Sequence, residues 1–566
     1  MLSKDLLPES VPSERLPGTN FLIEWENPRD AQLFWLREST HFPDIVKPLD
    51  FAFCVQGIEH GFNHAAQRYG IPGLTYDRLF HGYVYEAVDM PELTAEALSA
   101  HLQEALVRIE AVIDSLDQHW QEQWLPEIQQ QLAAWEAYDL QSASAAQLLT
   151  HLQASHNDLR RLWEIHFELF FPMVLAISLF DEFYQELVEE ADAFNSYTLL
   201  AGFPNKTIET DVALWQLSRL ALALPDVRTV LLENPPHAVM EQLQQTSTGQ
   251  QFLDKVQQFL QSYGRRTERW SLQAVSWLEE PTPVIKNLQE HLRQPERDLF
   301  AEMQQVTATR EQQVERVLQQ IEHYPQVVQS EFRQRLQAAQ VGYRLKEEHT
   351  YWLDFQSIYA VRRLALACGQ RLTEAGLLAQ ADDIFYLYPT ELAMMEHGTP
   401  AVVSSSWCTL VAQRRAAEAA VVGITPPVSI GTPTPEVVLD DAISRAVGKV
   451  MGGVSPSSMP NVLTGCGGSP GVVQGTVKVL HTLEEAPKVN AGDILVVSMI
   501  TPAWTALFAT VAAIITDGGG VLSHGAIVAR EYRIPAVVST RLATAMLQDG
   551  QRVEVDGNAG VVRILS

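Results

Sequence analysis

A histidine at position 524 follows a run of small residues in the stretch ITDGGGVLSHGAIVAREYRIPAVV. Ala512–Thr516 predicts a strand. Gly518, Gly519 and Gly520 follow it, and backbone without a Cβ there can approach a neighbour closely and take positive φ. Ser523 is a good N-cap for a helical segment Gly525–Glu531. His524 is therefore expected at or beside a helix N-terminus, where N–H groups and the macrodipole favour an anion. Imidazole is nucleophilic near neutral pH, so a histidine in such a cradle has the chemistry to hold a phosphoryl group. The same residues equally describe a histidine that caps its own helix. Metal binding here is disfavoured, since no second ligand stands at i+3 or i+4. Asp517 could orient the imidazole or simply fix the loop. Thr501 and Thr505 flank Pro502–Trp504 and could bring a hydroxyl to a phosphoryl group; an N-cap at Thr501 with proline at N1 is the equal alternative. Arg530 lies six residues on and is expected to be structural.

The elements that must position this histidine follow from hydrophobic pattern. VVQGTVKVL, DILVVSMI, AAIIT, IPAVVST, QRVEVDG and GVVRILS are short apolar or β-branched runs, the mark of strands in a compact α/β unit. Before residue 423 the period is helical instead. Leu98, Leu102, Leu106, Ile109, Ile113 and Leu116 fall on one helix face, and 144–191 continues in the same manner with Pro172 expected to start or kink a helix. Residues 283–345 are Gln-, Glu- and Arg-rich with spaced aliphatics, as in long solvent-lined helices. Between the two regimes, GITPPVSIGTPTPE and MGGVSPSSMPNVLTGCGGSPG read as a linker with a short helix near 438–450. The expected fold class is multidomain α plus α/β: a large all-helical body over 1–422, a Pro/Gly/Ser-rich linker over 423–464, and a small β/α domain over 465–566.

Composition limits what such a chain can do. With 40 basic and 69 acidic residues the net charge is −29, so the basic footprint of a nucleic-acid binder or an anionic-membrane binder is missing. Cys54, Cys368, Cys408 and Cys466 are scattered, with no C-x-x-C spacing, as in a reducing compartment. No basic n-region with an apolar run opens the sequence. Apolar stretches such as Val511–Ile515 are too short to span a bilayer. A cytoplasmic protein is expected.

Residues 465–566 resemble the phosphohistidine swivel domain of the phosphoenolpyruvate-utilising enzymes, the family of phosphoenolpyruvate synthase, pyruvate phosphate dikinase and rifampicin phosphotransferase. The resemblance rests on four stretches in order: GGSPGVVQGTVKVL, AGDILVVSMITPAWTALF, TDGGGVLSHGAIVAREYRIPAVVST and DGQRVEVDGNAGVVRIL. It implies that His524 takes up a phosphoryl group and swivels between two sites, with Gly518, Gly519, Gly520, Ser523 and Thr501 supporting the phosphate. Gly525 stands where alanine is commoner. The helical body resembles the acceptor-binding domain of rifampicin phosphotransferase through FLIEWENPRDAQLFWLRESTHFPDIVKPL, SYGRRTERWSLQAVSWLEEPTPVI and HTYWLDFQSIYAVRRLALACGQRLTEAGLLAQADDIFYLYPTEL.

That likeness makes Arg265, Arg266, Arg344, Lys346, His349 and Arg362 acceptor-site candidates, because positive groups stabilise a transferring phosphoryl group; a salt-bridged helix face is the plain alternative. Tyr351, Trp352, Phe355 and Tyr359 could line a pocket or form core. The family's arginine followed four residues later by lysine is here Arg344 and Glu348, with Lys346 between. Neither a nucleotide-loading ATP-grasp domain nor a phosphoenolpyruvate barrel is expected on this chain. The resemblance then implies a separate ATP-grasp subunit, using ATP and Mg²⁺, that leaves the β-phosphoryl group on His524 for a small-molecule acceptor. No cofactor or metal is expected on the chain itself. Two other readings are a regulatory adaptor whose docking depends on phosphorylation of His524, and a vestigial structural protein. The unbroken Gly518–His524 loop argues against the second.

Overall fold

The computed structural model describes residues 13–15, 21–25, 27–188, 194–396, 404–433, 440–452 and 461–565. The helices that frame the site are α1 (Gln56–Tyr69), α2 (Ala145–Leu187), α3 (Lys206–Leu222), α4 (Leu299–Gln320), α5 (Gln326–His349), α6 (Gln356–Glu374), α7 (Ala442–Met451) and α8 (His524–Tyr532).

Helix α2 is the axis of the body. Ser144 and Gln147 form a capping box at its start, which satisfies two N-terminal backbone donors. Pro172 neither starts nor ends it; the helix runs through the proline for its full 43 residues. A proline leaves the carbonyl four residues back without its helical donor. That carbonyl is Glu168 O, and the Tyr69 hydroxyl on α1 donates to it at 2.7 Å. Tyr69→Phe is therefore expected to orphan a buried acceptor and cost about 1–3 kcal/mol, read as a lowered urea midpoint at unchanged m. By length and composition α2 could cross a membrane, but 78% of its apolar window is buried inside the protein. It is a core helix, which short apolar runs alone did not foretell.

The body is not all-helical. Strands β1 (Trp35–Arg37), β2 (Leu74–Phe80), β3 (Tyr83–Asp89) and β4 (Ser429–Ile430) form an antiparallel sheet in the order β2-β3-β1-β4. Strand β4 comes from the stretch expected to be linker. It pairs Ile430 with Trp35 at the sheet edge, a place where neighbouring prolines are tolerated. Helix α7, expected within the linker, packs Ile443 and Ala446 into the body's core. Lys449 Nζ on α7 meets Asp181 Oδ2 of α2 at 2.5 Å. Residues 434–439 and 453–460 of the expected linker lie outside the described residues.

The C-terminal sheet comprises β5 (Val462–Thr464), β6 (Cys466–Ser469), β7 (Val472–Val479), β8 (Ile494–Val497), β9 (Ala513–Thr516), β10 (Ala536–Val538), β11 (Arg552–Asp556) and β12 (Val561–Ile564). Among the described residues its order is β5-β12-β11-β7-β8-β9-β10-β6. Strands β7 to β10 are parallel, and the outer pairs are antiparallel. Strands β8 and β9 are buried throughout, which explains their unbroken apolar sequence. This sheet does not stand apart from the body. Leu495, Trp504 and Phe508 share one apolar cluster with Leu214, Val256 and Leu288. Leu522 and Ile527 share another with Phe180 of α2 and Phe332 of α5.

Candidate functional site

Strand β9 ends at Thr516, and the loop beyond it carries the glycines to α8. His524 is the first residue of that helix, and Ser523 is its N-cap, with Oγ accepting from Ala526 N at 3.4 Å. The site thus lies past the carboxyl end of a parallel strand, the usual ligand position in such sheets. The glycines serve different ends. Gly519 has φ +83°, which a side chain would strain. At Gly520 a Cβ would sit 2.3 Å from the Lys449 carbonyl oxygen of α7. The amide of Gly518 donates to Ser498 O at 3.0 Å, and that of Gly520 to Val450 O at 2.7 Å. Of the expected phosphate cradle of Gly518, Gly519 and Gly520, two amides are engaged by the protein in this arrangement. Asp517 fixes the loop, accepting from Thr544 N at 3.0 Å and from the hydroxyls of Thr540 and Thr544. Arg530 braces it from behind, donating to Val521 O at 2.8 Å and Gly468 O at 2.5 Å.

The imidazole is held from both edges. Its Nδ1 lies 2.8 Å from Glu347 Oε2 of α5, and its Nε2 lies 3.3 Å from the Thr505 hydroxyl. Thr207 of α3 donates to the same Glu347 oxygen at 2.8 Å. Burial alone would disfavour the Glu347 charge. The facing His524 imidazole, its hydrogen bond, Lys346 and Thr207 outweigh that and hold the carboxyl down at about 2. A carboxylate accepts only, so Nδ1 carries a proton; in the neutral ring the Nε2 lone pair then lies beside the Thr505 hydroxyl. Behind this pair Arg266 is 2% exposed. It donates to Thr210 Oγ1 at 2.8 Å and Lys206 O at 3.0 Å, while its Nε has no hydrogen-bond partner among the described residues. Asp211 accepts from the Tyr532 hydroxyl. Burial pushes its carboxyl up to about 6, against the opposing pull of Tyr532, Arg266 and His524.

The candidates taken from sequence divide. Lys346 neighbours Glu347 on α5; burial lowers its pKa, and its ammonium has no hydrogen-bond or ion-pair partner among the described residues. His349 is buried, and desolvation lowers its pKa to about 3. Three candidates are drawn elsewhere. Arg344 pairs with Asp117 at 2.6 Å, Arg265 with Glu136 at 3.0 Å, and Arg362 with Glu279 at 3.0 Å. Arg344 and Arg362 are salt-bridged on helix faces, and Arg265 is salt-bridged just past a helix end. The Thr501 hydroxyl donates to Glu268 O at 3.1 Å, so Thr505 and not Thr501 meets the imidazole. Glu347 was not foreseen; its only signal in sequence is its place between Lys346 and His349.

Glu531 at the far end of α8 accepts from Gly202 N at 3.1 Å, and burial raises its pKa to about 7. A carboxyl raised in the folded state favours folding in acid and loses that contribution as pH climbs from its unfolded value of about 4.5 through 7. Glu531→Gln, which keeps an acceptor oxygen, is expected to be neutral at pH 4.5 and to stabilise by on the order of 1–3 kcal/mol at pH 8. Paired thermal melts at the two pH values check this.

A histidine at a helix start, past the carboxyl end of a parallel strand, stands where an anion is favoured. Residues 489–560 match the PEP-utilising enzyme mobile domain, and residues 166–347 match the rifampicin phosphotransferase fourth domain. Both matches liken the chain to the phosphoenolpyruvate-utilising enzyme family. It is 39% identical to chondramide synthase cmdD of Chondromyces crocatus over 96% of this chain and 14% of that protein. It is 29% identical to the uncharacterized phosphotransferase YvkC of Bacillus subtilis strain 168 over 95% of this chain and 62% of that protein. With the rifampicin phosphotransferase of Streptomyces sviceus it shares 30% over 68% of this chain and 42% of the other. The chain thus spans less than two thirds of each of these relatives.

Proposed function

We propose that this chain is a phosphotransferase component in which His524 relays a phosphoryl group from a separate donor to a small-molecule acceptor held by the helical body. The observation that carries the reading is the Nδ1–Glu347 hydrogen bond of 2.8 Å, which leaves Nε2 as the nucleophile beside Thr505. In loading, Nε2 attacks phosphorus and the P–O bond of the donor breaks as the Nε2–P bond forms. In transfer, the acceptor hydroxyl oxygen attacks phosphorus, Nε2 leaves with its electron pair, and the hydroxyl proton passes to solvent. In the docked arrangement Glu347 keeps the Nδ1 proton in place as the group departs. Lys346 and Arg266 put positive charge near the region where phosphoryl charge gathers. The donor we favour is an ATP-grasp subunit using ATP and Mg²⁺, which contributes the β-phosphoryl group.

The test uses β-labelled and γ-labelled ATP with Mg²⁺, with and without lysate of the source organism. Acid-labile, base-stable label from the β position alone, and only with lysate, is expected. Label without lysate would overturn the separate donor. Label from phosphoenolpyruvate alone would replace ATP as its source. A loaded chain that binds a partner protein but never passes its label to a small molecule would favour the adaptor reading.

A further inference from the structure

Beyond Glu347, α5 passes directly into a π-helical turn, Thr350–Phe355. Such turns are rare and are enriched at functional sites, because they re-aim the side chains that follow. This one brings Asp354 round to His349, and His166 of α2 closes the third side. One donor atom from each of the three lies within 4.8 Å of the others. The group is deep: His349 is 3% and Asp354 2% exposed. His166 Nδ1 is 2.9 Å from Asp354 Oδ1, and the rings of His166 and His349 meet edge-on at 4.8 Å. Trp270 Nε1 donates to the other oxygen, Asp354 Oδ2, at 3.0 Å.

Hydrogen bonds decide which atoms are on offer. His349 Nδ1 lies 2.8 Å from the Leu345 carbonyl, which can only accept, so Nδ1 holds the proton and Nε2 a lone pair. No hydrogen-bond donor serves that Nε2 among the described residues. A second imidazole and a carboxylate stand beside it. The outer contacts, Leu345 O on His349 and Trp270 on Asp354, are those that orient metal ligands.

We propose that His166, His349 and Asp354 bind one divalent transition-metal ion of the zinc type. The 2.9 Å spacing of His166 Nδ1 and Asp354 Oδ1 has to open by about 0.5 Å to seat both on a tetrahedral ion with bonds of about 2.1 Å. His166 then moves its proton to Nε2, and no net charge is created on the ring. His349 contributes Nε2 after a side-chain approach of about 1 Å, since ligands on one such ion stand closer than the widest pair here. Three protein ligands leave a coordination position for water or another oxygen. The assignment is independent of the phosphoryl-transfer reading, and its test does not involve His524.

The test is a Co²⁺ titration of the chelator-treated full chain, followed by d–d absorbance, with Zn²⁺ as competitor and with Zn²⁺ melts alongside. One equivalent of absorbing Co²⁺ displaced by Zn²⁺, and a higher Tm with Zn²⁺, are expected. His349→Gln and Asp354→Asn should each bind at least tenfold more weakly. His64→Gln, at a separate pairing of His60 and His64 with Glu164 and Glu168, should bind as the wild type does. Circular dichroism identifies a variant that fails to fold, and the other variant then decides. Absence of a d–d band in the wild type would overturn the proposal. So would an undiminished band in a folded His349→Gln or Asp354→Asn chain.

Discussion

His524→Ala is expected to take up no acid-labile label from any donor, a loss of at least about 10³-fold, because the substitution removes the nucleophile itself. The loss should occur without unfolding. His524 is 11% exposed at the start of α8, and the cap that holds the helix belongs to Ser523. Leu522 and Ile527, on either side of His524 in sequence, stay anchored in the apolar cluster with Phe180 and Phe332. Removing the imidazole does leave Glu347 facing the space where its partner stood, and that carboxylate is buried. A modest fall in Tm is therefore expected beside the complete loss of label. Retained label in a folded His524→Ala chain would mean that another residue carries the phosphoryl group. Phosphoramidate stability, lost in acid and kept in base, distinguishes a histidine from a serine or threonine ester.

Glu347→Gln has a different expected signature. Glu347 sits on α5 of the body, not on the sheet domain that bears His524. Loading at a distant donor would take place without it, so the rate of label uptake should be unchanged. Transfer in the docked arrangement should fall by about 10- to 100-fold, since a charge-assisted hydrogen bond becomes a neutral one worth about half as much. A single-turnover chase of labelled chain with acceptor separates the two rates. Equal loss in loading and transfer would place Glu347 in general stability instead. The pH dependence has a definite sign. The Glu347 carboxyl is held at about 2, against 4.5 for a free one. Its contribution is therefore complete above about 4.5 and disappears as pH falls toward 2. Wild type and Glu347→Gln should differ in Tm at pH 6 and converge in strong acid.

The sheet domain was legible because its strands are short, apolar and punctuated by glycine, and because Ser523 and the helix after it obey local capping rules. His524 emerged from the same local logic. What escaped was whatever depends on chain returning from far away. Thr505 faces the imidazole and Thr501 does not, a difference set by the turn of a short helix, Pro502–Leu507. Glu347 meets His524 across 177 positions of sequence, and no local pattern marks one glutamate of a Lys-Glu-Glu run. Arg344 and Arg265 looked chemical because they are cationic, but carboxylates on neighbouring helices claim them. Of the small N-terminal sheet, β1 and β4 are three- and two-residue strands, below the length at which alternation can be counted. Pro172 misled for a related reason: its remedy, the Tyr69 hydroxyl, lies on another helix.

The apolar cluster that joins Trp504 and Phe508 to Leu214 and Leu288 bears on timing. A carrier that shuttles must break this seam on every round trip, and the water it admits makes departure slow and return fast. The interval between turnovers would then be set by adhesion and not by bond chemistry. Polar replacements along the seam would shorten that interval while leaving the reactive nitrogen untouched. A chain altered in this way would spend less of its life at rest.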